Sequence, residues 1–205
     1  MRTAMCVTPD DSAAILWPRS FLALAPNAAT RAHLASVPAL PGVKPTQVED
    51  LHLTLAFIGA ISEPQRHALA AALPALAELA RSIPLLAFTG FEVWPVPDRP
   101  RVWVAAYTLP DPMRKLVEQI QAVLTRAGLP VDGRPFRPHI TLARFPRTAQ
   151  ACDVPMRPTR DHPAQVDEIG LYCRTATQDG PRYMALARVP LTDAPWPPPP
   201  FQEPA

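Results

Sequence analysis

The chain has 205 residues, among them 29 prolines, 33 alanines, 18 arginines and only two lysines, and its formal net charge is +2. With 48% hydrophobic residues it can bury a core of ordinary domain size. Seven glycines exclude collagen, the density of helix breakers excludes a coiled coil, and no apolar run reaches the roughly 20 residues of a membrane span. The near-neutral charge excludes a global field for polyanions, so any anionic ligand must be held by a local cluster.

Residues 1–18 show no periodicity and read as a loose N-terminal extension closed by Pro18. They contain no continuous apolar segment of the kind that directs secretion. The three cysteines, Cys6, Cys152 and Cys173, lack metal-ligand spacing; they fit a reducing cytoplasm as small fillers. A first strand is predicted over 20–25, followed by a short helix with Asn27 as N-cap and Leu34 facing inward. Pro38, Pro41, Gly42 and Pro45 then mark a loop.

A second strand is predicted over 51–58, stopped by Gly59. Ser62, Pro64 and Gln65 have the spacing of a capping box with proline in the first turn. The helix they open places Leu69, Leu73, Leu76 and Leu79 on one face, and Pro74 is expected to kink or split it. Strand-like segments follow at 85–94 and 101–109 around a proline-rich turn. A further helix is predicted with Asp111 as its cap and Pro112 at its first position; it carries Met113, Leu116, Ile120, Val123 and Leu124 and stops at Gly128. Strands are predicted at 139–145, 165–174 and 182–190, and a Pro-rich tail occupies 192–205. Many strands, few helices and short turns give an α+β fold with antiparallel sheets, its body spanning 19–191.

Two segments repeat one pattern, Leu51-His52-Leu53-Thr54-Leu55 and Pro138-His139-Ile140-Thr141-Leu142. A composition with five histidines gives roughly 0.08 chance copies of His-apolar-Thr-apolar, so two copies are a signal. Side chains alternate faces along a strand, so each segment presents an imidazole and a hydroxyl together, opposite its apolar residues. Imidazoles titrate near neutrality, so one can accept a proton while the other donates one. Two of them flanking a phosphorus centre can activate water and protonate the leaving oxygen without a metal. The hydroxyls of Thr54 and Thr141 can meet the negative charge that develops on the phosphate. The histidines are 87 residues apart, so the site forms between separately supplied strands, in a cleft.

The same runs resemble the 2H phosphoesterase superfamily, and most closely the bacterial RNA 2′,3′-cyclic phosphodiesterases, also called 2′-5′ RNA ligases. The likeness covers roughly 19–191. It rests on Arg19-Ser-Phe-Leu-Ala-Leu24, Glu49-Asp-Leu-His-Leu-Thr-Leu-Ala-Phe-Ile-Gly59, Arg101-Val-Trp103, Arg134-Pro-Phe-Arg-Pro-His-Ile-Thr-Leu-Ala-Arg144 and Arg182-Tyr183. It implies a bilobal α+β fold of two antiparallel sheets with helices packed outside and the site in the cleft between lobes. It also implies hydrolysis of RNA 2′,3′-cyclic phosphate ends to 2′-phosphomonoesters. In that reading His52 is the proton donor, His139 the proton acceptor, and Thr54 and Thr141 hold the phosphate. No cofactor and no metal are expected; the partners are RNA ends, not a membrane, and the chain is expected to be a cytoplasmic monomer. Rival readings are 2′-5′ ligation or 2′-5′ oligonucleotide cleavage at the same site, or a non-catalytic module that binds RNA ends.

Arg134, Arg137, Arg144 and Arg147 cluster around the second motif and would supply local positive potential. Strand parity puts Arg137 on the face of His139, and Arg144 on the other face unless a bulge intervenes. Phe21, Phe57, Trp94, Trp103 and Phe136 are expected mostly in the core, with a base-stacking platform possible among them. His33, His67 and His162 are expected to be exposed.

Overall fold

The computed structural model describes residues 16–149, 161–177 and 180–192. Eight strands form one antiparallel sheet: β1 (Leu16–Pro26), β2 (Lys44–Pro45), β3 (Leu53–Ser62), β4 (Phe88–Val96), β5 (Arg99–Tyr107), β6 (His139–Arg144), β7 (Val166–Thr177) and β8 (Gly180–Pro190). Three helices accompany them: α1 (Ala28–Ala35), α2 (Glu63–Ala80) and α3 (Asp111–Arg126). The strand order is β4-β5-β6-β3-β1-β7-β8, with β2 added beside β6.

This order divides into two halves, β4-β5-β6 and β3-β1-β7-β8. The expected pair of antiparallel sheets is realised as these halves, which meet through a single register pair, Leu53↔Ile140. Both residues are fully buried. Helix α2 packs on β1, β7 and β8, and α3 packs on α2 and β3. The core between helices and sheet includes Leu22 and Leu24 of β1, Leu69 and Leu73 of α2, and Met113 and Ile120 of α3.

Local chemistry sets the helix ends, except at the start of α3, where Asp111, the expected cap, is the first helical residue and Pro110 takes the cap position without a side-chain hydrogen bond. Asn27 Oδ1 accepts the Thr30 amide at 2.8 Å. Ser62 and Gln65 close the anticipated capping box. Gln65 Nε2 also donates to Ala127 O at 3.2 Å, which ties the start of α2 to the end of α3. Gly128, just past α3, has φ +66°, a left-handed conformation that glycine adopts at no steric cost.

Several expectations are corrected. Helix α2 runs unbroken through Pro74. That residue lies on the exposed side, where water can satisfy the carbonyl that loses its donor. Strand β1 begins at Leu16, inside the extension expected over 1–18, because Leu16 and Trp17 pair with Ser62 and Ile61. Trp17 Nε1 also donates to Glu63 at 2.7 Å. The predicted loop before the first motif contains β2, and a 3-10 turn (Val48–Asp50) leads into the motif. His162 is buried, enclosed by His33, Phe88 and Phe91 with ring centroids 4.6 to 5.1 Å away. The tail beyond residue 192, Cys6, Cys152 and all but the last three residues of the extension lie outside the described residues.

Candidate active site

The Leu53↔Ile140 pair aligns the two repeats centre to centre in antiparallel register. His52 of one repeat therefore lies toward Thr141 of the other, and Thr54 toward His139. Paired residues of an antiparallel ladder share a face, and their immediate neighbours take the opposite one. With Leu53 and Ile140 in the core, all four predicted residues converge on the other face, related by a local two-fold through that pair.

Each imidazole is anchored in the same way. The Nδ1–H of His52 donates to the Asp50 carbonyl at 2.7 Å, and that of His139 to the Arg137 carbonyl at 2.8 Å. A carbonyl can only accept, so both rings carry their proton on Nδ1. Both Nε2 atoms are left with a lone pair on the side away from the backbone. Each tether comes from the residue two positions earlier, and neither was legible as a pattern of residue types.

The repeats also share a bulge. Between β1 and β3 the register jumps from Leu22↔Ala56 to Ala23↔Thr54, leaving Leu55 unpaired. Between β5 and β6 it jumps from Trp103↔Ala143 to Val104↔Thr141, leaving Leu142 unpaired. In each motif the residue after threonine is therefore the extra one, which reverses the parity beyond it. Arg144 returns to the His/Thr face by this means, as does Phe57 at the equivalent position of the first repeat.

The two ends of the site then differ. Around His52, the rings of Phe21 and Tyr183 each lie 4.9 Å away, centroid to centroid. Arg144 Nη2 donates to the Tyr183 hydroxyl at 3.4 Å. A pocket of about 280 Å³ opens beside this end, lined by Lys44, Asp50, Arg144, Arg182 and Tyr183 among others. Around His139, the Trp94 ring packs at 4.3 Å, and the Arg137 guanidinium lies over the same indole at 4.3 Å. Glu92 Oε2 accepts from both Trp94 Nε1 and Arg137 Nη2 at 2.6 Å. Arg137 thus stands beside His139 as strand parity predicts, held by Glu92.

Burial dominates the titration of both histidines. It holds His52 down to about 4, and the charges of Arg144 and His139 add to the effect against the pull of the Asp50 carbonyl. Burial also lowers His139, and the Arg137 guanidinium acts the same way, while the Arg137 carbonyl and the Glu92 carboxylate oppose it. Both imidazoles are therefore mainly neutral at pH 7, and they compete for one proton at lower pH.

Of the other predicted residues, Arg134 turns away to pair with Asp132. Trp103 is a core residue, whereas Phe57 is 65% exposed on the site face. Lys44 and Glu92 were not singled out from the sequence, whereas Trp94 was named only among the aromatics and Arg182 and Tyr183 only among the runs that carry the resemblance. Lys44 carried one signal that could have been used, as one of two lysines in an arginine-rich chain. Among the described residues, no group of three or more His, Cys, Asp or Glu side chains is placed to hold a metal ion.

A fold of two antiparallel halves, carrying duplicated His/Thr pairs at their junction, defines a two-histidine phosphoesterase architecture. The profile of the 2′-5′ RNA ligase superfamily matches residues 26–178, and the chain belongs to that superfamily, the 2H phosphoesterases. Over 160 residues the chain is 31% identical to an RNA 2′,3′-cyclic phosphodiesterase of Aeropyrum pernix, covering 72% of this chain and 85% of the relative. A solved structure from Thermus thermophilus superposes with a TM-score of 0.65 at 29% identity, covering 84% of this chain and 97% of that one. Escherichia coli LigT complexed with 3′-AMP gives a TM-score of 0.60 at 28% identity, covering 86% and 99%.

Proposed function

We propose that the protein is an RNA 2′,3′-cyclic phosphodiesterase that works by paired histidine acid–base catalysis without a metal. The observation that carries this reading is the local two-fold. It brings two Nδ1-tethered imidazoles and two threonine hydroxyls to one face, around a space bordered by Arg144. The activity of the similar enzyme of Aeropyrum pernix supports the substrate, and no helix among the described residues is long and apolar enough to cross a membrane.

In the proposed step His139 Nε2 takes a proton from water while the water oxygen attacks phosphorus. The bond from phosphorus to the ribose 3′ oxygen breaks, and that oxygen takes the proton from His52 Nε2. The products are a 2′-phosphomonoester and a free 3′ hydroxyl. Thr54 and Thr141 donate to the non-bridging oxygens as charge builds on them. The unequal surroundings favour this division of labour. At His139 the Glu92 carboxylate works against the Arg137 guanidinium, while the charges acting on His52, those of Arg144 and His139, both oppose protonation, so His139 suits the acceptor. Deep burial beside Arg144 makes protonated His52 a strong acid, as a donor should be.

The test is to incubate the protein, with chelator and without nucleotide, with RNA ending in a 2′,3′-cyclic phosphate, and to locate the phosphate in the product. A 2′-phosphate is expected. His52→Ala and His139→Ala should each lower turnover by about 10²–10⁴-fold with the fold intact by circular dichroism. Full activity in either variant would sink the mechanism. Tight RNA binding without any product would favour a non-catalytic end-binding module.

A further inference from the structure

We propose that Glu92 is the positioning residue of the proton acceptor: its carboxylate holds the Trp94 ring and the Arg137 side chain around His139 and offsets the guanidinium beside it. The inference rests on the function proposed above and assigns to that site a residue outside both motifs. It begins from a placement that substrate does not explain. Glu92 of β4 pairs with Val104 of β5, and Val104 pairs with Thr141 of β6. Ladder partners share a face, so Glu92 stands on the His/Thr face, two strands and about 10 Å from Thr141. A carboxylate on a face that receives an anionic phosphate repels it, so Glu92 weakens binding unless it serves something else.

Its contacts show what it serves. One oxygen, Glu92 Oε2, accepts at 2.6 Å from Trp94 Nε1 and at 2.6 Å from Arg137 Nη2. Trp94 packs its ring on His139 at 4.3 Å, and Arg137 holds the same imidazole through its backbone carbonyl at 2.8 Å. The four residues thus close a loop of contacts in which Glu92 lies opposite His139.

The two histidines differ in how their rings are held. Phe21 and Tyr183 both pack on His52, whereas among the described residues Trp94 is the one aromatic ring packed on His139. A single hydrogen bond at Nδ1 fixes one edge of an imidazole, so the direction of His139 Nε2 depends on the Trp94 face. Trp94 lies near the end of an edge strand and is itself only half-buried, so its indole needs the anchor that Glu92 gives. Charge points the same way. Among the described residues, the charges that act on His139 are Arg137 on its own segment, Glu92 on β4 and the His52 imidazole across the junction. The guanidinium lowers the affinity of His139 for a proton and the carboxylate raises it, so Glu92 offsets the cation it binds.

The experiment measures kcat and KM between pH 4 and 8 on an RNA ending in a 2′,3′-cyclic phosphate, for the wild type, Glu92→Gln, Arg137→Ala and Trp94→Phe. The maximum of kcat/KM lies midway between the donor and acceptor titrations, so it moves by half of any change in His139. Glu92→Gln keeps an oxygen that can accept but loses the charge. It should lower kcat about tenfold without raising KM, and move the maximum to lower pH by about 0.3–0.5 unit. The Glu92 side chain is 36% exposed and the change is isosteric, so the fold should stay intact by circular dichroism. Arg137→Ala removes the cation and keeps the carboxylate, so the maximum should move to higher pH. Trp94→Phe keeps a ring on His139 without the indole N–H; kcat should fall while the maximum stays. The titration of His139 itself, read from its ring signals by NMR without substrate, should move down in Glu92→Gln and up in Arg137→Ala.

A Glu92→Gln enzyme with wild-type kcat and an unmoved maximum overturns the role. So does a change confined to KM, which marks a residue that only repels substrate. Shifts of one sign in both Glu92→Gln and Arg137→Ala overturn it too, because opposed charges must act in opposite directions. If the wild type hydrolyses the RNA and the variants match it, the inference alone fails. If the wild type leaves the RNA intact, the proposed function fails and takes the acceptor role with it.

Discussion

Both histidines are pushed below their ordinary titration by burial, and that departure fixes how activity should follow pH. The proposed mechanism needs the donor protonated and the acceptor neutral, and kcat/KM reports the ionisations of the free enzyme. His52 is held at about 4 and His139 is also below its usual value of 6.5. Falling pH protonates the acceptor, and rising pH strips the donor. The profile of kcat/KM should therefore be a bell with its maximum on the acid side of pH 6.5. Bound phosphate adds negative charge and raises both imidazoles, so the maximum of kcat should lie at higher pH than that of kcat/KM. Steady-state rates between pH 4 and 8 test both statements, and a flat profile would argue against the histidine pair. The identity of these residues was legible from the repeat alone. Their depressed titration was not, because it comes from Phe21, Tyr183 and Trp94 on other strands.

At the scale of elements, bulges and one glycine decide which side chains reach the site. Parity along an ideal strand would send Arg144 to the far face; the extra Leu142 brings it back. Sequence patterning marks a strand's faces but does not mark where the ladder skips a residue. Strand β7 shows a related device. Tyr172 folds back over Gly170 to donate to buried Glu168 at 2.5 Å, and its ring stacks on Phe21 at 5.5 Å. A Cβ on Gly170 would lie 2.6 Å from the Tyr172 ring. Gly170→Ala should therefore displace Tyr172 and leave Glu168 without that donor. The expected cost is about 1–3 kcal/mol, readable as a lower urea midpoint, with a smaller loss in the Tyr172→Phe background. A midpoint unchanged from the wild type would show that the ring moves aside freely.

For the whole molecule, the decisive feature is how little joins the two halves. One register pair sets the position of β3 against β6, and that pair also sets the distance between the two His/Thr sets. Leu53→Ala should cost about 2–5 kcal/mol through the cavity it leaves. It should also lower kcat/KM at temperatures where the variant is still folded, because both His/Thr sets lose a common reference. Activity equal to the wild type in the folded variant would place the alignment elsewhere, in α2, α3 or β1. By itself the sequence determined the α+β class, the Asn27 and Ser62 caps, the His52/Thr54 and His139/Thr141 pairs and the family they resemble. Those are matters of local periodicity, turn chemistry and a repeated motif, which neighbouring residues encode. Only the tertiary structure decided that the repeats meet centre to centre, which carbonyls tether the rings, and that Glu92 holds both Trp94 and Arg137. Each of these depends on register between strands far apart in the chain, and register is set by the packed core and not by any one strand.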